Sequence, residues 1–175
     1  MVTKALFLDR DGVININHGY VCTIEDFDFI DGTFETCKQL QAYGYQLIII
    51  TNQSGISRGY YSEKDFKSLT KWMLENFSKQ GVNILDVFFC PHGPNSSCEC
   101  RKPKPGMFLT AQKSYNIDMK NSWMVGDKEE DLIAAKKAGI DNTVLVRSGH
   151  PIDEQTSHAE YILKSIKDII EVIKS

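Results

Sequence analysis

The chain has 175 residues, of which 42% are hydrophobic and 25% are charged, and its formal net charge is -3 at pH 7. This composition is ordinary for a soluble globular protein, and no stretch approaches the ~20 apolar residues of a membrane span. A slightly acidic chain also lacks the strong basic excess of a general nucleic-acid binder. We therefore expect one domain over residues 1–175, without a signal peptide, nucleic-acid partner or membrane partner, working in the cytosol as a monomer.

Predicted strands alternate with predicted helices along the chain. Short apolar runs predict buried strands at residues 6–9, 46–50, 84–89, 123–125 and 143–146, with a short sixth strand at 161–163. Helical spacing of apolar residues predicts helices at 34–43, from the capping-box-like residues 62–65 to at least Phe77, at 107–115, at 131–138 and at 166–173. Residues 15–29 show no clear period and are predicted to form a loop. This alternation is typical of an α/β fold with a doubly wound, mostly parallel sheet.

Two carboxylates and a glycine follow the first predicted strand, in the sequence Asp9-Arg10-Asp11-Gly12. If the strand continued, Asp9 and Asp11 would share one face of it. Two carboxylates so close repel each other unless a cation lies between them, and Mg²⁺ suits such a site. One carboxylate can then attack as a nucleophile while the other transfers a proton. Asp and Gly are also common in polar turns, so this motif alone leaves both interpretations open.

Further polar groups follow the later strands of the predicted sheet. They are Thr51 and Asn52 after the second strand, Arg101 and Lys102 after the third, and Asp127 and Lys128 after the fourth. Hydroxyl, amide and guanidinium groups can bind phosphate oxygens, and a third carboxylate can complete a Mg²⁺ site with Asp9. Taken singly, each group also fits a turn, an exposed charge or a helix N-cap. Since the carboxyl ends of parallel strands meet at one edge of a sheet, we expect these groups to converge there.

Three cysteines and a histidine lie within eleven residues, as Cys90, His92, Cys98 and Cys100. Three thiolates and one imidazole fit a tetrahedral zinc site that leaves no free coordination position, which indicates a structural zinc. Buried or redox-active thiols are the alternative interpretation. A zinc ion here would order the loop at about 90–100 that leads to Arg101 and Lys102.

Four segments resemble the four motifs of the haloacid dehalogenase superfamily of phosphatases. They are residues 9–13, 51–56, 101–103 and 126–128 with Asp131, and the resemblance extends from Leu6 to about Gly149. It implies a haloacid dehalogenase-like Rossmann-type fold without a large cap domain, in which the zinc-ordered loop and residues 15–26 shape the substrate pocket. Val13 departs mildly from the pattern, since many members carry Thr there.

The resemblance implies a Mg²⁺-dependent phosphatase for a small-molecule sugar bisphosphate, with histidinol-phosphate phosphatase as the alternative. The segments 18–21, 51–59 and 101–107 favour the sugar bisphosphate branch. The histidinol-phosphate branch usually carries Asp at the position of Ser54.

The resemblance also implies roles for the acidic residues. Asp9 would be the nucleophile that forms an aspartyl-phosphate, and Asp11 would protonate the leaving oxygen and then activate water. Mg²⁺ would be held by Asp9, the main-chain carbonyl of Asp11 and Asp127.

Other residues would bind the substrate. The resemblance implies that Thr51 and Lys102 stabilise the transferring phosphoryl group and that Arg101 recognises the distal part of the substrate. The implied substrate contacts are Asn17, His18, Gly19, Tyr20, Thr51, Asn52, Gln53, Ser54, Arg101, Lys102 and Lys128.

Two further hypotheses belong to other functional classes. A zinc-ordered binding module on a degenerate phosphatase fold would be favoured by the loss of Asp9, Asp11 or Asp127, and all three are present. A 3′-phosphatase acting on nucleic-acid ends would need a basic stripe, which the acidic charge balance does not provide.

Overall fold

One parallel sheet of six strands forms the centre of the molecule. The computed structural model describes residues 2–174, so the two ends of the domain predicted at 1–175 lie outside the described residues. The strands are β1 (Ala5–Leu8), β2 (Gln46–Asn52), β3 (Ile84–Cys90), β4 (Trp123–Gly126), β5 (Asn142–Val146) and β6 (Tyr161–Leu163). Their spatial order is β3-β2-β1-β4-β5-β6, and every pair is parallel.

Helices connect these strands. The α-helices of the described residues are α1 (Thr33–Ala42), α2 (Glu63–Lys79), α3 (Gly106–Tyr115) and α4 (Glu129–Lys137), and two 3-10 helices cover Met119–Asn121 and Ile166–Glu171. The predicted capping box of α2 is present, because Asp65 N–H donates to Ser62 Oγ at 3.1 Å and Ser62 N–H donates to Asp65 Oδ2 at 2.8 Å. Within residues 2–174, no helix is both long and apolar enough to cross a membrane.

The central strand β1 is buried on both faces. Leu6 and Leu8 pack in one hydrophobic cluster with α1 and α2, and Phe7 packs in a second cluster with Phe108 of α3 and Leu132 of α4. Alternate side chains of a strand point to opposite faces, so helices on both sides of the sheet require a continuous apolar run. This arrangement confirms the predicted doubly wound α/β fold.

The order of the strands reverses beside β1. The chain runs from β1 outward through β2 to β3, and then returns to β4 on the other side of β1. Ligands of open α/β sheets bind at such a switch point, beyond the carboxyl ends of the strands. The fold therefore brings the segments that follow β1, β2 and β4 together at one edge.

The predicted helix at 166–173 differs in type from the observed structure. The chain forms a 3-10 helix at Ile166–Glu171 instead, and Ser165 caps it by accepting a hydrogen bond from Lys167 N–H at 3.3 Å. The buried residues Ile166 and Ile169 are three positions apart, which matches the three residues per turn of a 3-10 helix. A short capped segment packed on α1 thus keeps its apolar face inward without an α-helix.

Candidate active site

The loop after β1 carries the first two carboxylates. Strand β1 ends at Leu8, and the N–H of Asp9 donates to the carbonyl oxygen of Val125 in β4 at 3.0 Å. Gly12 has φ 86, and a Cβ at that position would lie 2.4 Å from Asp127 Oδ2, so glycine is required by conformation and by close approach. Although the strand ends before them, Asp9 and Asp11 both border a small cavity of about 60 Å³.

A buried lysine joins two of the acidic residues. The Nζ of Lys102 lies 3.0 Å from Asp9 Oδ1 and 2.8 Å from Asp131 Oδ1, and it donates to the carbonyl oxygen of Ile50 at 2.8 Å. Burial favours the neutral amine, but Asp131 and Asp9 outweigh it and raise the pKa of Lys102 above its ordinary value. Lys102 therefore stays charged at the base of the cavity.

The predicted phosphate ligand Asn52 holds the backbone of this lysine. Its Nδ2 donates to the carbonyl oxygen of Lys102 at 3.2 Å, and its Oδ1 accepts from the N–H of Lys102 at 3.1 Å. Asn52 ends β2, so these two hydrogen bonds attach the loop that carries Lys102 to the edge of the sheet.

Three carboxylates lie close enough to hold a metal ion. Asp9, Asp127 and Asp131 each offer one oxygen atom, and these atoms lie within 4.8 Å of one another. Both oxygens of Asp131 already have partners, because Oδ1 contacts Lys102 and Oδ2 accepts from the N–H groups of Asp127 and Lys128, each at 3.1 Å. Asp127 Oδ1 is buried and has no hydrogen-bond partner. The free oxygens of Asp9 and Asp127 therefore suit a hard cation such as Mg²⁺.

The charged groups around Asp9 agree with such a metal site. Burial raises the pKa of Asp9 well above its ordinary value, and the carboxylates of Asp131 and Asp127 add to this effect while Lys102 opposes it. A carboxylate must be ionised to act as a nucleophile. A cation between Asp9 and Asp127 would favour that ionised form.

Asp11 has a different environment. Its Oδ1 accepts from Arg10 Nη2 and Asn15 Nδ2, each at 3.0 Å, and its Oδ2 accepts from Gln53 Nε2 at 3.2 Å. Burial would raise the pKa of Asp11, but the charge of Arg10 and these hydrogen bonds outweigh it, so the pKa lies below its ordinary value. Both side-chain oxygens of Asp11 are thus engaged by donors of the protein.

A larger cavity of about 240 Å³ opens next to the carboxylates. The predicted substrate residues that line it are Asn17, Gly19, Tyr20, Asn52, Gln53, Ser54, Arg101 and Lys128. Lys102 lines the adjoining 60 Å³ cavity instead. The edge of the sheet thus brings most of the predicted residues to one opening.

Two predicted substrate residues are placed differently. His18 does not line either cavity, and its Nε2 lies 2.8 Å from Asp28 Oδ2 on the exposed loop. Thr51 is 1% exposed and lies below the cavity wall, where its Oγ1 accepts from Gln53 Nε2 at 2.9 Å.

Sequence reasoning missed several residues of the site. Tyr61, Glu130 and His150 line the larger cavity. Asp131 belongs to the fourth motif but was given no role, and it binds Lys102 below the cavity. Asp131 had a signal in the sequence, because it lies in the first turn of the helix that follows Asp127. Tyr61 had none, since it precedes the capping box of α2 as an ordinary aromatic residue would. His150 follows β5, the one central strand end whose polar residues were not considered.

The cysteine-rich loop forms a second possible metal site. Cys90, His92, Cys98 and Cys100 each offer one ligand atom, all within 4.8 Å of one another. The Sγ atoms of Cys90 and Cys98 are 3.8 Å apart, and His92 Nδ1 lies 3.4 Å from the Sγ of Cys90 and 3.3 Å from that of Cys100. Three thiols and one imidazole nitrogen match the ligands of a tetrahedral zinc site.

The thiols of this cluster titrate differently. Burial opposes ionisation of Cys98, but hydrogen bonds from Ser96 and the backbone of Arg101 outweigh it and lower the pKa of Cys98 to about 6. Burial raises the pKa values of Cys90 and Cys100. One thiol is therefore ionised at neutral pH, while a metal ion would have to displace protons from the other two.

The loop also positions Arg101. The Nη1 of Arg101 donates to the carbonyl oxygen of His92 at 3.1 Å, and Arg101 lines the larger cavity. An ordered loop consequently holds a guanidinium group at the opening.

A family model and a solved structure are similar to this chain. A family model described as HAD-hydrolase-like matches residues 99–169. The crystal structure of a D,D-heptose 1,7-bisphosphate phosphatase from B. bronchiseptica, complexed with magnesium and phosphate, is 28% identical, covers 96% of each chain and gives a TM-score of 0.83. The fold is thus that of a haloacid dehalogenase-like hydrolase, as the resemblance implied.

Closer relatives identify the branch. A protein from Pasteurella multocida and one from Vibrio cholerae, both named D-glycero-β-D-manno-heptose-1,7-bisphosphate 7-phosphatase, are each 52% identical to this chain. The alignments cover 98% and 97% of this chain and 97% and 95% of the relatives, respectively. The chain belongs to the family of D-glycero-β-D-manno-heptose-1,7-bisphosphate 7-phosphatases.

Proposed function

We propose that this chain is a Mg²⁺-dependent phosphatase that removes the 7-phosphate of D-glycero-D-manno-heptose 1,7-bisphosphate through an aspartyl-phosphate intermediate. The observation that carries the proposal is the meeting of Asp9, Asp127 and the buried Lys102 next to a polar cavity. Relatives at 52% identity named for this activity support the choice of substrate.

The proposed reaction has two steps. The Asp9 carboxylate attacks the phosphorus atom of the 7-phosphate, and the bond from phosphorus to the sugar oxygen breaks. Asp11 is ionised in the free chain because its pKa lies below the ordinary value, so it takes up a proton from solvent before this step and gives it to that oxygen. Asp11 then takes a proton from a water molecule, which attacks the aspartyl-phosphate and releases inorganic phosphate. The hydrogen bonds from Asn15 and Gln53 hold Asp11 in place for both transfers.

Positive charge at the base of the cavity serves this chemistry. Phosphoryl transfer depends on positioning and on neutralising the charge of the transferring group. Asp9, Asp127 and the carbonyl of Asp11 would hold Mg²⁺ in the proposed enzyme, and the bound ion would supply part of that charge. The buried ammonium of Lys102, 3.0 Å from Asp9 Oδ1, supplies another part and orients the nucleophile.

The second phosphate of the substrate requires a second cationic region. Arg101 lines the larger cavity and not the 60 Å³ cavity that Lys102 lines, whereas Lys128 borders both cavities. We propose that Arg101 and Lys128 contact the distal portion of the bisphosphate. Arg101 would be held there by the loop that Cys90, His92, Cys98 and Cys100 form around a structural Zn²⁺.

The proposal extends to the setting of the enzyme. We infer a monomer that works in the cytosol, in the synthesis of nucleotide-activated heptose for cell-surface glycans. A metal site with three thiol ligands supports a reducing compartment, since such thiols must stay reduced to bind the metal.

Substitution of the nucleophile tests the mechanism. We expect Asp9→Asn to lower turnover by at least ~10³-fold without unfolding the chain, because it removes the attacking carboxylate and keeps the side-chain volume. Phosphate release would be measured with Mg²⁺ on heptose 1,7-bisphosphate, histidinol phosphate and common sugar phosphates. Asp141→Asn is the matched control, since Asp141 is exposed and precedes β5 at the opposite edge of the sheet.

Two results would contradict the proposal in different ways. Turnover near the wild-type value in Asp9→Asn would exclude the aspartyl-phosphate route. A preference of the wild-type enzyme for histidinol phosphate would keep the mechanism and overturn the substrate.

A further inference from the structure

The loop after β5 packs directly on the loop that carries the catalytic carboxylates. The Oγ of Ser148 donates to the carbonyl oxygen of Gly12 at 2.7 Å. A Cβ at Gly149 would lie 2.1 Å from Asp127 Oδ2, so no other residue fits between the two segments. The N–H of His150 then donates to the same Asp127 Oδ2 at 3.0 Å. The segment Ser148–His150 therefore closes over one side of Asp127.

Each of the two ring nitrogens of His150 contacts one neighbouring side chain. Its Nδ1 lies 2.6 Å from Asp127 Oδ2, and its Nε2 lies 3.3 Å from Asn17 Nδ2. An ionised carboxylate can only accept hydrogen bonds, so Nδ1 carries the ring proton and donates a hydrogen bond to Asp127. Nε2 is then the acceptor for the amide of Asn17, and one tautomer satisfies both contacts.

These contacts leave one oxygen of Asp127 for another partner. Oδ2 accepts two hydrogen bonds from His150, from its main chain and from its ring. Oδ1 is buried, and no hydrogen-bond donor reaches it. The orientation of the carboxylate is thus set from the side of His150, with the free oxygen directed away from that residue.

His150 also borders the space where the substrate would bind. It lines the 240 Å³ cavity together with Asn17, and it lines the 60 Å³ cavity together with Asp9. Its side chain is 38% exposed, so truncation would not open a hole in the hydrophobic core.

We propose that His150 is a positioning residue with two separable functions. Its Nδ1–H fixes Asp127 so that Oδ1 can bind Mg²⁺, and its Nε2 fixes Asn17 as part of the substrate-binding wall. The inference rests on the proposed Mg²⁺ site. Partners that orient a metal ligand typically change metal affinity by ~10–100-fold when they are removed.

Two amide side chains separate the functions of the ring nitrogens. The amide nitrogen of Asn occupies about the place of Nδ1 in histidine, whereas the amide group of Gln reaches about the place of Nε2. His150→Asn should therefore keep the contact with Asp127, and His150→Gln should keep the contact with Asn17. His150→Ala loses both contacts and retains only the main-chain hydrogen bond.

The test measures Mg²⁺ binding directly, by calorimetric titration of the full chain with Mg²⁺ alone after removal of loosely bound metal. We expect His150→Ala and His150→Gln to weaken Mg²⁺ binding by ~10-fold or more, and His150→Asn to bind near the wild-type affinity. The KM for the bisphosphate should rise in the Ala and Asn variants and stay closer to the wild-type value in the Gln variant. His158→Ala is the matched control, because His158 is exposed and pairs with Glu129 outside both cavities.

Three outcomes would overturn the inference about His150. Equal Mg²⁺ affinities for wild type and His150→Ala would overturn the inference while leaving the proposed function intact. An Asn variant as weak as the Ala variant would also overturn it, since the Nδ1 contact would then not be what orients Asp127. A wild-type chain that does not bind Mg²⁺ would overturn the proposed metal site and this inference with it.

Discussion

The burial of Lys102 is the opposite of what its neighbours in the sequence indicate. An Arg-Lys pair followed by proline usually indicates exposed charge, and Lys is among the residues least often buried. Here Lys102 is 1% exposed and contacts Asp9 and Asp131. A buried ammonium is stable only with such partners, because removal from water is otherwise very costly. The residue was recognised by its motif, but its burial depended on partners 93 residues earlier and 29 residues later in the chain.

Its neighbour Arg101 provides a prediction at the same scale. We expect Arg101→Ala to raise the KM for the heptose bisphosphate by ~10-fold or more, since a charge-assisted hydrogen bond contributes ~1.5–3 kcal/mol. A simple aryl phosphate lacks the second phosphate, so Arg101→Ala should raise the KM for that substrate much less. Steady-state kinetics on both substrates would measure the difference.

The control for this prediction is Arg147→Ala. Arg147 pairs with Glu154 and lines neither cavity, so its removal should affect the two substrates alike and weakly. Equal losses for both substrates in Arg101→Ala would mean that Arg101 serves the reacting phosphate instead of the distal one.

At the scale of elements, the loop of residues 90–100 has little apolar support beyond its cysteines. It is rich in Gly, Pro, Asn and Ser, and several of its residues are exposed. Such a segment buries too little apolar surface to offset the entropy of ordering it. A metal ion held by its three cysteines and His92 would order it, and the loop would then hold Arg101 by the contact with the carbonyl of His92.

Removal of one ligand tests this account. We expect Cys98→Ser to lower the zinc content and the Tm together, by several degrees, because the loop loses the energy of metal binding. Elemental analysis and a thermal scan would measure the two quantities. Cys22→Ser is the matched control, since Cys22 lies outside the cluster. Normal activity with an unchanged Tm in Cys98→Ser would rule out a structural zinc.

The C-terminal 3-10 helix shows why the type of a short element is hard to predict. Apolar residues at 166, 169 and 173 fit an α-helix and a 3-10 helix almost equally well over so few residues. Ser165, which caps the segment, and packing against α1 decided the outcome. The sequence therefore predicted an amphipathic helical segment here, and the structure decided its 3-10 type and its packing on the core.

At the scale of the whole molecule, this C-terminal segment completes one of the two hydrophobic clusters. Ile166, Ile169 and Ile173 are buried against the same cluster as Leu6 and Leu8 of β1. A chain that folds as the single domain predicted at 1–175 should consequently lose stability everywhere when this packing is weakened.

Ile169→Ala tests that expectation. We expect the free energy of unfolding to fall by ~2–5 kcal/mol, since the substitution leaves a cavity at a fully buried site. Urea denaturation followed by far-UV circular dichroism and by tryptophan fluorescence should give coincident transitions. Ile133→Ala removes a side chain that is 38% exposed, so it should lower the free energy of unfolding much less. Separate transitions for the two probes would contradict a single cooperative unit.

The sequence by itself determined the alternation of strands and helices and, to within about two residues, where each strand ends. It did so because burial of a parallel strand requires a continuous apolar run, and because functional side chains of such sheets follow the strands. It also indicated Asp9, Asp11 and Asp127 through their chemistry and Cys90 through its spacing from the other cysteines.

Only the tertiary structure decided which of these side chains meet. The strand order places β1 between β2 and β4, and this order brings Lys102 to Asp9. His150 joins the site for the same reason, because β5 lies next to β4 and its loop ends against Asp127. Contacts between distant segments depend on the packing of the whole sheet, which no local pattern of residues records.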